Sequence, residues 1–170
     1  MLSVRLDEFT RNLVLPEGFE PPERLVHGEI VATVLGREDL EEDMEGINSS
    51  LELIRRTHGG DWPAEPVTAE FNYVDLVWHE CEFRERFSFS YVLRDSGGGY
   101  LGCAYLYPMG RRTPLTEELA EHDVDVSWWV TQDAHAAGFY ERAYRALRGW
   151  VVEDYPFTNP HWSNRELPER

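Results

Sequence analysis

Apolar and polar positions along the chain follow two periods, one of about two residues and one of three to four. Phe87, Phe89, Tyr91 and Leu93 fall on one side of an extended segment, the pattern of a strand with a buried face. Tyr100 to Tyr107 is apolar or small at every position, as expected of a strand covered on both faces. The turn Asp95-Ser96-Gly97-Gly98-Gly99 joins the two into a hairpin. Val124, Val126, Trp128 and Val130 alternate with Asp125, Ser127 and Trp129, which predicts a further strand. Arg24 to Leu35 predicts one strand near the start, closed by Gly36, with Leu25, Ile30, Ala32 and Val34 available for burial.

The longer period marks the helices. Val67, Phe71, Val74, Trp78 and Cys81 recur at spacings of four and three, while Glu70, Asp75 and Glu82 lie elsewhere. The spacing predicts an amphipathic helix over Thr68 to Phe83 with that stripe buried. A second stripe, Phe139, Ala143, Leu147 and Val151, is widened by Tyr140, Tyr144 and Trp150, and Glu141 stands one turn before Arg145 as an ion pair. Arg37 to Glu45 reads as a charged helical turn or short helix. Asn48 or Ser49 caps a helix through Arg56 with Leu51 and Ile54 turned inward. Between these lie a proline-rich extended segment at Leu15 to Pro22, a turn over residues 59–64 and an Arg-rich loop at Arg111 to Pro114. Tyr155 to Trp162 reads as one edge strand. The resulting order is a strand, two or three helices, an antiparallel hairpin, a strand, a helix and a short edge strand. That is an α/β layered fold in one domain, residues 1–170, with an extended segment at 1–24 and a tail at 163–170.

Composition narrows the function classes. With 42% apolar and 13% aromatic residues, the chain has material for a packed core. Its 32 acidic against 16 basic side chains give a net charge of −16. That balance disfavours nucleic acid, which needs clustered cations, and anionic membrane surfaces. Cys81 and Cys103 are too few for a disulfide scaffold and read as buried free thiols. No apolar run reaches 18 residues and Met1 to Thr10 lacks a signal-peptide core, so a cytoplasmic location is expected.

The element order, together with the phrase Tyr100-Leu101-Gly102-Cys103-Ala104-Tyr105-Leu106-Tyr107-Pro108, resembles the GNAT N-acetyltransferase superfamily. The likeness spans roughly residues 25–160. It implies a mixed, mainly antiparallel central sheet with helices on both faces, with this phrase as the family's third strand and Val124 to Val130 as its fourth. It also implies acetyl-CoA as co-substrate, no metal, and direct attack of an amine on the thioester. The family's pyrophosphate loop, Gln/Arg-x-x-Gly-x-Gly/Ala, falls at Thr131-Gln132-Asp133-Ala134-His135-Ala136-Ala137-Gly138. Gln132, His135 and Ala137 lie on the motif, with His135 where the first glycine belongs. Trp128, Trp129, Val130, Thr131 and Gly138 complete the implied coenzyme set, the backbone amides around Trp129 to Thr131 facing the thioester. The chain ends soon after the fourth strand's helix, so the family's later elements are shortened or missing.

Amine acetylation needs a proton acceptor for the ammonium and a donor for the leaving thiolate. Glu82 and Glu85, just before the hairpin, and Asp125, on the strand, are candidate bases, and each reads equally as a solvated or capping carboxylate. Tyr107 is a candidate acid, or a core residue with an exposed hydroxyl. His79 and Glu82 share a helix face, an incomplete metal site. Two functions stay open: an N-acetyltransferase with an unidentified small-molecule or peptide amine acceptor, and a non-catalytic binding or interaction protein of the same fold that has lost its coenzyme loop. The second reading includes a homodimer that covers the groove.

Overall fold

Six strands form one sheet in the order β1-β2-β3-β4-β5-β6, described here from a computed structural model over residues 12–169. They are Arg24–His27 (β1), Ile30–Val34 (β2), Phe89–Asp95 (β3), Tyr100–Tyr107 (β4), Val124–Val130 (β5) and Pro160–Trp162 (β6). The helices are Leu40–Asn48 (α1), Leu51–Thr57 (α2), Ala69–Arg84 (α3), Gln132–Ala136 (α4) and Phe139–Glu153 (α5). Neighbouring strands are antiparallel except β5 and β6, which run parallel. The sheet is therefore mixed and mainly antiparallel.

The strand expected over Arg24 to Leu35 is instead the hairpin β1-β2. Gly28 has φ 57° at the first of its two turn positions, a conformation that suits glycine and matches the twist of paired strands. The β3-β4 turn behaves as its sequence suggests. Asp95 accepts from the Gly97 and Gly99 N–H groups at 2.9 and 2.8 Å. Further along β4, Gly102 has φ 150°, and a β-carbon there would stand 2.0 Å from the Trp129 carbonyl oxygen. A side chain at this position of β4 would collide with the β5 backbone.

Two apolar layers flank the sheet. On one face Phe89, Tyr91, Leu93, Val124, Val126 and Trp128 pack against the α5 stripe of Ala143, Tyr144, Leu147 and Val151. On the other face Val92, Cys103, Tyr105 and Trp129 meet Leu35, Ile47, Ile54 and Leu76. Helices α1 to α3 cover this second face, so both faces carry helices, as the sequence predicts. A buried carboxylate fastens α1 to the sheet and to α3. Asp43 accepts from Asn72 Nδ2 and the Tyr100 hydroxyl, both at 2.8 Å, and from Cys103 Sγ at 3.3 Å. Burial still pushes its pKa up.

The outer face of α3 departs from expectation. Thr68 caps the helix through Phe71 N–H at 3.2 Å, but Phe71, Val74 and Trp78 are 61%, 67% and 61% exposed. The inward side is Asn72, Leu76, His79, Glu82 and Phe83, whose polar members have partners in other elements. Cys81 is accordingly only half-buried, while Cys103 is fully enclosed. Phe87 lies outside β3 and is exposed.

The end of the chain also differs from a free tail. Asn164 is buried; its Oδ1 accepts from Trp128 N–H at 3.0 Å and its Nδ2 donates to Trp128 C=O at 2.8 Å. Arg165 and Glu166 N–H donate to the carbonyls of His58 and Thr57. The extended segment expected over residues 1–24 contains no regular element between residues 12 and 23, where Phe19 packs on Tyr155. Its first eleven residues lie outside the described ones. No helix among the described residues is long and apolar enough to cross a membrane.

Candidate active site

The residues that follow α2 and β4 converge over the α1–α3 face of the sheet. Tyr105 and Tyr107 project from β4 on the same side, two residues apart, as alternation along a strand requires. His58 and Trp62 come from the loop after α2, Asp75 and His79 from α3, and Arg111 and Arg112 from the loop after β4. Together they line a cavity of about 210 Å³. Its walls are largely aromatic: His58 packs edge-on to Trp62 and Tyr105, and His79 lies stacked on Tyr107 with ring centroids 6.4 Å apart.

Arg112 organises one side. It donates to the carbonyls of His58, Gly59 and Ser163 and, at 2.6 Å, to Ser163 Oγ. Its Nη2 also reaches His58 Nδ1 at 3.3 Å. A guanidinium only donates, so Nδ1 is the accepting nitrogen and the neutral ring carries its proton on Nε2. That Nε2 is buried without a partner among the described residues. Burial, reinforced by the Arg112 charge, pulls the His58 pKa down to about 3.

Arg111 sits opposite, its guanidinium 4.1 Å above the Tyr107 ring and its Nη1 2.5 Å from Glu82 Oε1. The other Glu82 oxygen accepts from Ser88 Oγ at 2.8 Å. At the rim His79 bridges two elements, with Nδ1 3.0 Å from Ser90 Oγ and Nε2 3.4 Å from Asp75. Asp75 is part-exposed, so the pair spans from the cavity to solvent. Burial holds the Tyr107 hydroxyl protonated far above its ordinary range.

The four candidate acid–base residues are thus dispersed. Tyr107 lines the cavity, and Glu82 lies just behind it with both oxygens engaged. Glu85 is exposed at the end of α3, paired with Arg84. Asp125 is buried beside the cavity wall, where one oxygen accepts from Ser163 Oγ at 2.5 Å and the other has no partner among the described residues. Burial raises its pKa. His58, Trp62, Asp75, His79, Tyr105, Arg111 and Arg112 escape sequence reasoning as site residues. Only the adjacent arginines in a strongly acidic chain offered a signal.

The coenzyme candidates lie along β5, α4 and the start of α5. The Trp128 side chain packs under α5, stacked on Tyr144 at 5.1 Å, while Trp129 faces the other layer and donates to the Tyr105 hydroxyl at 2.9 Å. β5 pairs with β6 only over Val124 to Val126. Beyond that point the β5 edge is uncovered by a strand, and Asn164 holds its Trp128 groups. Thr131 N–H donates to Leu101 C=O, so this amide belongs to the β4-β5 ladder and does not face outward.

The stretch from Thr131 to Gly138 is a helical turn. Gln132 N–H donates to Ser50 Oγ and Ala134 N–H to Thr131 Oγ1. The N–H groups of His135, Ala137 and Gly138 reach Thr131, Asp133 and His135 carbonyls. Gly138, at φ 82°, opens α5. The amides of Phe139, Tyr140 and Glu141 head a 15-residue helix, where first-turn N–H groups have no intrahelical acceptor and favour anions. Arg142 stands in the same turn, with its guanidinium 3.9 Å over the Phe139 ring. That guanidinium is already engaged, by Glu29 and by the Ala137 and Gly138 carbonyls. The first-turn amides of α5 are therefore the anion-favouring groups of this stretch, and most amides of residues 132–137 are spent internally. Among the described residues no group of three or more His, Cys, Asp or Glu side chains could hold a metal ion.

No family model matches the sequence, and no curated protein matches it. Solved structures do match. RimL, a ribosomal L7/L12 alpha-N-protein acetyltransferase in complex with coenzyme A, superposes with a TM-score of 0.60 at 10% identity, over 78% of this chain and 69% of its own. A putative ribosomal-protein-serine acetyltransferase from Vibrio cholerae gives 0.58 at 10% identity over 79% and 69%. A GNAT-family acetyltransferase from Bacillus anthracis gives 0.53 at 11% identity over 77% and 67%. At these identities the likeness is one of fold, and the fold of this chain is that of the GNAT acetyltransferases.

Proposed function

We propose that the protein is an acetyl-CoA-dependent N-acetyltransferase that acts on an amine by direct attack, without a covalent enzyme intermediate. The observation that carries this reading is that β5 runs past its pairing with β6, its edge there held by the Asn164 side chain and not by a strand, and leads to Gly138 and the first turn of α5. In open sheets, the crevice at the carboxyl ends of diverging parallel strands is where ligands bind. Bound acetyl-CoA supplies the activated acyl thioester. The α5 amides would hold its pyrophosphate, and Arg142 would join them only on leaving Glu29. The aromatic cavity would receive the acceptor, and Asp75 with His79 would take the ammonium proton. Tyr107 keeps a proton at its hydroxyl within the same cavity. Acetyl-CoA at millimolar concentration is expected to raise the melting temperature. If neither acetyl-CoA nor coenzyme A moves it, the proposal fails.

A second reading, a non-catalytic protein of the same fold, is favoured by the closure of the edge. Asn164 occupies both Trp128 backbone groups, and six of the amides from Thr131 to Gly138 already have acceptors. A neighbouring cavity of about 440 Å³ is lined by Glu42, Glu45, Asp95 and Asp133, a lining that repels phosphate. His135→Gly and Asn164→Ala separate the two readings. Coenzyme binding that appears only in a variant identifies what blocks it, and binding by the unaltered chain excludes blockage.

A further inference from the structure

The outward face of α3 carries Phe71, Val74, Trp78 and Cys81 within one narrow stripe. Contiguous exposed apolar side chains of this size mark an interaction surface more often than a solvated one. Their spacing is symmetric. Phe71 and Cys81 lie five residues either side of position 76, and Val74 and Trp78 two either side. At about 1.5 Å rise per residue, the outer pair sits roughly 7.5 Å from the midpoint in each direction.

We infer that this face is a two-fold interface with a second copy of the chain, the two α3 helices antiparallel and crossing at Leu76. A two-fold contact requires a self-complementary patch, and the symmetric stripe supplies one. Antiparallel pairing sets Val74 against Trp78 of the second copy and Phe71 against its Cys81. A cavity of about 270 Å³, lined by Trp78, Cys81, Glu82, Glu85 and Phe87, lies where that Phe71 arrives. The lining is almost wholly apolar at its base, and a phenyl ring fits its size. Charge agrees with the same orientation. Exposed Arg84, near the helix end, comes opposite Thr68 of the second copy, two residues from its Glu70. A parallel arrangement would instead stack Glu70 on Glu70 and leave the cavity facing another cavity. One helix face per copy is at the low end of interface sizes, so the dimer is expected to form in the micromolar range. The inference does not rest on the coenzyme question, although the stripe borders the cavity: Phe71 shares a hollow with Trp62, and Asp75 stands one turn from both Phe71 and Trp78.

Sedimentation velocity of the full chain from about 1 to 200 μM tests it, with dimer expected to accumulate over this range. Trp78→Glu, at an exposed position, is expected to keep the unaltered melting temperature of the monomer and to sediment as monomer throughout. Orientation is read with Phe71→Cys under mild oxidation, by mapping the crosslink: a disulfide from position 71 to native Cys81 of the second copy is expected. Monomer at 200 μM overturns the inference. So does a dimer that persists in Trp78→Glu, or a crosslink joining position 71 to position 71.

Discussion

Acidification from pH 7 to pH 5 should destabilise the fold by roughly 2 kcal/mol through His58 alone. The imidazole is buried, its Nδ1 accepts from Arg112, and its pKa falls from 6.5 to about 3. In the unfolded chain it titrates near 6.5. Between pH 6.5 and 3 the unfolded state therefore binds a proton that the folded state refuses, and stability falls as pH falls. At pH 5 the gap is about 1.5 pH units at about 1.36 kcal/mol each, and the small protonation already present at pH 7 leaves roughly 2 kcal/mol. The contribution is fully present above pH 7.

His58→Gln removes the titration while leaving an oxygen to accept from Arg112. Urea midpoints for both proteins at pH 7 and pH 5 give a double difference. Asp125 and Asp43, whose pKa values are raised by burial, contribute with the opposite sign, but they are common to both proteins and cancel. The variant is expected to lose about 2 kcal/mol less than the unaltered chain on acidification. A double difference below about 0.5 kcal/mol would show that the ring is charged or solvated in the folded state, refuting the Arg112 assignment.

Asn164→Ala leaves the Trp128 N–H and C=O and the Tyr140 hydroxyl short of a buried partner, and urea denaturation should show a loss of about 2–4 kcal/mol. Gly102→Ala is expected to give little soluble protein in an expression trial, because the added carbon would overlap the Trp129 carbonyl. Trp129→Phe, which deletes the bond to Tyr105 and leaves a void where the indole's second ring lay in a filled layer, should cost about 2–4 kcal/mol by the same denaturation. If acetyl transfer is detected with a model amine, Asp75→Asn should lower kcat at least about tenfold and move its pH profile. Glu85→Gln should leave both unchanged.

The two long helices show where sequence reasoning held and where it stopped. In α5 the periodic stripe is the buried one, since Ala143, Tyr144, Leu147 and Val151 meet an apolar sheet face and nothing polar competes. In α3 the stripe is equally periodic and faces out. Its inner side instead holds Asn72, His79 and Glu82, each matched to a group far away in sequence: Asp43, Ser90 and Arg111. Periodicity reports that a helix has an apolar side; it carries no information about distant polar partners. The hairpin and β5 were legible because alternation and the glycine turn are local. The rest of the cavity around Tyr107 was not, because His58, His79 and Arg112 come from three further elements and none belongs to a motif.

The same distribution ties the cavity to the coenzyme edge. Arg112 grips Ser163, Ser163 bonds Asp125, and the next residue, Asn164, closes the β5 edge at Trp128. Any ligand that takes the Trp128 groups must displace Asn164. The bonds to Trp128 come from the Asn164 side chain, so a rotamer change alone frees the edge, whereas a shift of the Asn164 backbone also moves Ser163. Arg112 would then lose two of its acceptors and hold His58 less firmly. Where the backbone moves, opening of the edge and reshaping of the cavity are coupled through this two-residue segment. Arg112→Lys, which retains the charge but not the planar fork, should therefore loosen Asn164 as well as His58. Faster hydrogen exchange at Trp128 N–H in that variant is the expected sign. Unchanged protection there would mean that Asn164 is anchored by Tyr140 and Trp128 alone, and that cavity and edge move separately.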